Sequence, residues 1–115
     1  MKEEPKGERV EVSREAIAAL AAQAAGEVEG AEVCQPKSVE SITSRVKREL
    51  VHKGIKVSRD DSSYRLSVYL KIRYGVHIPS VAREVAGKVK EYVEGLTDLP
   101  VEEVEVVIED VEPPV

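Results

Sequence analysis

The sequence predicts an α+β domain: a two-layer mixed β-sheet, built from a hairpin and a βαβ crossover, with helices packed on one face. Three observations predict it. In Tyr64 to Tyr74, one parity holds Tyr64, Leu66, Val68, Leu70, Ile72 and Tyr74, and the other holds Arg65, Ser67, Tyr69, Lys71 and Arg73. Strand side chains alternate between faces, so this segment has one apolar face and one polar, mostly basic face. Next, Val81, Val85, Val89, Tyr92, Val93 and Leu96 recur at helical spacing. Last, Val104, Val106 and Ile108 alternate with Glu103, Glu105, Val107 and Glu109. A strand–helix–strand unit returning to one sheet makes a parallel crossover.

The elements follow in order. Residues 1–8 are polar and read as a loose tail. Arg9 to Val12 alternates as a short strand would. Ser13 suits an N-cap, and Glu15 suits the helix dipole in the first turn. Ile17, Leu20, Ala21, Ala24 and Val28 form the buried stripe of that helix, and Gly30 is its expected stop. Ala31 to Cys34 reads as a short strand before Pro36. Ser38 is placed to cap a second helix with Val39, Ile42, Val46 and Leu50 on one face. Ile55 to Arg59 alternates again. Asp60, Asp61, Ser62 and Ser63 are turn formers, so this strand and the long one make a hairpin. Gly75 breaks the long strand. Pro79 fits the first turn of a helix of about 18 residues, where its missing N–H costs nothing. Asp98 and Pro100 mark the turn into the last strand. The boundaries are a tail over 1–8, one domain over 9–111 and a short tail over 112–115.

The 115 residues suffice for one modest core. With no Trp and no Phe, that core must be aliphatic. The single Cys34 excludes an internal disulfide, suits a reducing cytoplasm, and reads as a small buried residue rather than a nucleophile. The charged N-terminus lacks the apolar stretch of a signal peptide. Ala16 to Ala25 is mostly Ala and falls short of the roughly 20 strongly apolar residues a membrane span requires.

The net charge of −5 is unevenly spread. Residues 45–73 carry nine basic and three acidic side chains, whereas residues 91–115 carry nine acidic and none basic. Two readings are open. If the long strand and the last strand are neighbours, Arg65, Lys71 and Arg73 meet Glu103, Glu105 and Glu109 across the ladder. Otherwise the two charged surfaces meet between copies, with Tyr69 and Val107 as apolar contacts.

No catalytic constellation stands out. His52, His77 and Cys34 are scattered over three elements without the paired spacing of a zinc site or a Cys–His nucleophile. His77, between Gly75 and Pro79, suits an exposed or locally hydrogen-bonded role. No phosphate-binding Gly-rich motif is present, and no cofactor is expected. Lys56, Arg59, Arg65, Tyr69, Lys71 and Arg73 could share a surface for RNA, but the acidic remainder opposes it.

Three segments carry a resemblance. They are EVSREAIAALAAQAAGEVEGA, GIKVS, and VYLKIRYGVHIPSVAREVAGKVKEYVEGLTDLPVEEVEVVIEDV. Their order and spacing resemble the alkaline shock protein family of Gram-positive bacteria, also called the envelope stress response family. The matching positions include Tyr74, Gly75, Ile78, Pro79, Leu96, Thr97 and Val104 to Val111. The resemblance implies a non-enzymatic cytoplasmic protein of cell-envelope homeostasis. It implies self-association and retention at the membrane by a small membrane-anchored partner. It supplies no catalytic residues. The expected partner-binding surface is the outer sheet face, with Arg65, Tyr69, Lys71 and Arg73.

Overall fold

The structure, a computed structural model, describes residues 12–37, 49–59, 63–97 and 100–114. The elements are α1 (Arg14–Gly26), β1 (Ala31–Val33), β2 (Glu49–His52), β3 (Ile55–Arg59), β4 (Tyr64–Arg73), α2 (Ile78–Thr97) and β5 (Val101–Glu112). Arg9 to Glu11 and Ser38 to Arg48 lie outside the described residues, as do the expected strand and helix on them.

β4 organises the sheet. One edge pairs in parallel with β5 from Tyr64↔Val101 to Arg73↔Glu112. The parallel crossover expected from the sequence is therefore present. The other edge of β4 is shared. β3 pairs antiparallel with Tyr64 to Val68, and β1 pairs antiparallel with Leu70 to Ile72. The hand-over falls at Tyr69. Its N–H donates to the Gly54 carbonyl (3.1 Å), and its carbonyl accepts from the Cys34 N–H (2.9 Å). β2 lies outside β3 and, among the described residues, completes a five-stranded mixed sheet.

The β2–β3 connection is Lys53–Gly54, with φ of 54° and 77°. A two-residue loop with positive φ at both positions follows the right-handed twist of its strands. Gly54 also meets close neighbours. A Cβ there would overlap Val33 Cγ1 and sit 2.6 Å from the Cys34 carbonyl oxygen. The end of β1 and the start of β3 abut at this point, and only a residue without a side chain fits between them.

Ser13 caps α1 as expected: its Oγ accepts from the Ala16 N–H at 3.0 Å. The helix ends sooner than the sequence suggests. Glu27 closes it by donating its N–H to the Ala24 and Ala25 carbonyls. Gly30, with φ of 90°, instead turns the chain into β1, and its carbonyl accepts from the Arg73 N–H at 3.0 Å.

Leu50 is a further correction. It sits in β2 opposite Val57, not on a helix. Its spacing from Val46 suited a helix, but the Lys53–Gly54 turn folds this segment back onto β3.

The core lies between the sheet and both helices. Tyr64, Leu66, Val68, Leu70 and Ile72 meet Ile17, Ala21 and Ala24 of α1 and Val85, Val89 and Val93 of α2. Fully burying an aliphatic side chain of this size contributes about 1.5–3 kcal/mol. The helices also grip each other at Glu27. The Tyr92 hydroxyl donates to it, and Lys88 Nζ lies 3.8 Å away.

Two residues of the predicted apolar faces are exposed instead. Leu96, at 71%, falls in the last turn of α2, beyond Val93, where the buried stripe stops. Tyr74, at 63%, follows the end of β4, where Gly75 with φ of 100° turns the chain away.

Candidate functional site: the charged outer face of the sheet

The face of the sheet opposite the helices is built on the second parity of β4. Arg65 and Arg73 are exposed there, and Lys71 is half-buried. Their partners on β5 follow from the register: Arg65 lies opposite Glu103, Ser67 opposite Glu105, Lys71 opposite Asp110, and Arg73 opposite Glu112. The two strands are neighbours, as the cross-strand reading requires, but Arg65 pairs with Glu102, Glu109 has no partner in the register, and Arg73 pairs with Glu29 outside β5. The parallel crossover through α2 puts the two strands side by side.

The observed contacts differ in detail from a plain ladder. β5 carries irregularities opposite Tyr64/Arg65 and Leu70/Lys71, which leave Glu102 and Glu109 as extra residues. Glu102 uses that freedom. Its carboxylate accepts from Arg65 Nε at 3.4 Å and Nη2 at 3.3 Å, and from Ser63 Oγ at 3.2 Å. Ser67 Oγ donates to Glu105 Oε1 at 3.1 Å. Lys37 Nζ stands 3.8 Å from Asp110 Oδ2, and Arg73 Nη2 stands 3.8 Å from Glu29 Oε2. A period-two pattern places Glu103 and Glu105 but cannot place Glu102, because the irregularity shifts the period. The Glu102–Glu103 doublet is the only trace of it in the sequence.

Tyr69 is corrected. It was expected as an exposed contact, but it is only 6% exposed. It stands outside the helix-side core, on the outer face opposite Val107, where β3 and β1 meet. The chain after β1 then runs toward β5, as the Lys37–Asp110 pair shows. A residue in the middle of the central strand, flanked on both edges, loses its exposure to neighbours that the strand's own alternation does not reveal.

The Arg65 guanidinium holds the Glu102 carboxyl below its ordinary value, first by hydrogen bonding and then by charge, with Ser63 assisting. A lowered folded-state pKa stabilises the protein above the unfolded value. That contribution is lost as pH falls through the folded value. In R65Q, the Glu102 carboxyl is expected to titrate at higher pH than in the parent, read by carbon-detected NMR. An unchanged titration would show that the pair does not persist in solution.

Two shallow depressions mark the face. One of about 180 Å³ lies among Lys56, Ser58, Arg65, Ser67, Glu103 and Glu105. Another of about 160 Å³ lies among Gly30, Glu32, Lys71, Arg73 and Glu112. Each mixes both signs of charge. Cys34 is half-buried. Its thiol is pushed up, first by burial and then by Glu109, Asp110 and Glu32. A reactive cysteine needs the opposite shift. His77 Nδ1 is 2.8 Å from Ser80 Oγ, a local contact at the start of α2. Among the described residues, no group of three His, Cys, Asp or Glu side chains is placed to hold a metal. No helix among them is long and apolar enough to cross a membrane.

The model of the alkaline shock protein family, described as having a cell envelope-related function, matches residues 2–113. The chain is also similar to the uncharacterized protein YqhY of Bacillus subtilis (strain 168). The two are 29% identical over 98 residues, which covers 85% of this chain and 73% of YqhY. No solved structure matches.

Proposed function

The chain belongs to the alkaline shock protein family, whose function is cell envelope-related, and from that premise we propose that it is a non-enzymatic scaffold of envelope homeostasis. In this reading it associates with its own copies and binds a small membrane-anchored protein. It is cytoplasmic and becomes peripheral to the inner face of the membrane through that partner. The observation that carries the reading is the outer sheet face. It is broad and shallow, with a basic row on β4 beside an acidic strand, β5. Such a surface offers charge complementarity to another protein. Arg65, Lys71 and Arg73 are its accessible cations, and Tyr69 lies on the same face but is buried. The Glu102 carboxylate on Arg65 opposes the alternative of RNA binding, since a phosphate would have to displace it.

Sedimentation velocity across ionic strength tests the association. The screening length falls from roughly 30 Å at 0.01 M to roughly 3 Å at 1 M salt. Species heavier than the monomer are expected at low salt and dissociation at high salt. A monomer at high protein concentration in low salt counts against the reading. Pull-down from membranes of the native host tests the partner.

A further inference from the structure

We infer that the free edge of β5 is a docking site for an extended segment of a partner protein in which basic and apolar residues alternate. The inference deepens the reading above, because it names how the membrane-anchored partner would be held.

β5 is 12 residues long, and among the described residues it pairs with β4 alone. The direction of its backbone groups can be traced. Tyr69 and Arg73 of β4 donate their N–H groups to Gly54 and Gly30, away from β5. Tyr64 and Tyr74 donate theirs to Pro100 and Glu112, toward β5. Strand residues alternate in this respect, so the even-numbered residues of β4 face β5 and bond to Glu103, Glu105 and Val107. Val104, Val106 and Ile108 are left turned outward.

The two ends of that edge are closed by the chain's own side chains. The Val101 N–H donates to Glu94 Oε2 at 2.8 Å, and the Val111 N–H donates to Asp110 Oδ1 at 2.9 Å. The open stretch between these caps offers the N–H and C=O groups of Val104, Val106 and Ile108. This is the template that strand addition uses.

The side chains select the occupant. Val104, Val106 and Ile108 are only partly buried on the helix side. Beside them, a depression of about 220 Å³ opens between Ala86, Gly87 and Lys90 of α2 and the start of β5. An added strand would lay every second residue along this apolar shelf and the others beside Glu103 and Glu105. β5 carries six acidic residues and no basic one, against three basic residues on β4. Two copies of β5 would set glutamate against glutamate, so like pairing is disfavoured. A cationic strand is favoured on the same ground. Segments with an excess of Lys and Arg flank membrane spans on the cytoplasmic side.

The test is an NMR titration of the full chain, at low salt and in dilute solution. The probe is a blocked peptide of about ten residues alternating Lys and Val. The expected result is at least about tenfold slower amide exchange at Val104, Val106 and Ile108. V106P removes one outward N–H without touching the β4 ladder, and should weaken binding by about tenfold or more. E103Q/E105Q keeps the backbone edge and should weaken binding less, with a shallower salt dependence. Binding that persists unchanged in V106P, or shifts confined to Lys56 and Arg65, would reduce the effect to charge adsorption and overturn the inference. So would slow exchange at those three amides in the peptide-free monomer, where the chain covers its own edge. Concentration-dependent protection without peptide would assign the edge to a second copy and overturn it as well. Membrane pull-down separates this inference from the broader reading. Equal capture by V106P and the parent sinks the edge alone, whereas no capture by either sinks the membrane partner and leaves the peptide result to decide the edge.

Discussion

Leu70→Ala should lower the unfolding free energy by about 3–5 kcal/mol. Leu70 is fully buried at the middle of the sheet, in register with Val33 of β1 on one side and Ile108 of β5 on the other. Strands hold it on both edges, and the helix layer covers its side chain. The surroundings therefore have little room to collapse into the space that truncation leaves, and a rigid cavity puts the cost at the upper end of its range. A domain of this size has only about 5–15 kcal/mol to lose. Urea unfolding checks the prediction through a lower midpoint at unchanged slope. Arg73→Ala, three residues along the same strand and exposed, should cost less than about 1 kcal/mol. Equal losses for the two would refute the division of β4 into a covered and an open face.

Gly54→Ala should cost about 2–4 kcal/mol. The substitution adds a single methyl group, but two penalties combine. At φ of 77° an L side chain is strained, and the new Cβ would overlap Val33 Cγ1 and press on the Cys34 carbonyl oxygen. A backbone oxygen cannot rotate aside. Relief requires β1 to move away from β3, which breaks the hand-over of hydrogen bonds at Tyr69. Thermal unfolding should show a fall in midpoint of more than about 10 °C. Exchange at the Tyr69 N–H should accelerate. Gly87→Ala provides the opposite sign. Gly87 lies inside α2 with nothing within 4 Å of an added Cβ, so the change should raise stability by about 0.5–1 kcal/mol. A similar loss at both glycines would show that helix and turn propensity, rather than the β1–β3 seam, governs the effect.

Much of the outer face was legible as residue type and little of it as arrangement. Arg65, Lys71 and Arg73 fall where the alternation of β4 puts them, because period two is a property of the strand itself. Tyr69 has the same parity, yet it is buried, because burial depends on which other segments approach. Glu102 binds Arg65 only because β5 slips by one residue at its start, and such an irregularity is set by the pairing of two strands. Leu50 shows the same limit. Its apolar spacing fits a helix, and the choice went to β-pairing because Lys53 and Gly54 fold it onto Val57.

What the chain alone determines is local: the alternation of β4 and β5, the valine stripe of α2, the cap at Ser13 and the segregation of charge. These depend on side-chain periodicity and on short-range hydrogen bonding, both contained within one element. Only the tertiary structure decides that β3 and β1 share an edge of β4 at Tyr69, that Glu102 of β5 pairs with Arg65, and that, among the described residues, β5 pairs with β4 alone. Each of these is a contact between segments distant in sequence, selected by joint burial of the helix-facing side chains rather than by any local preference.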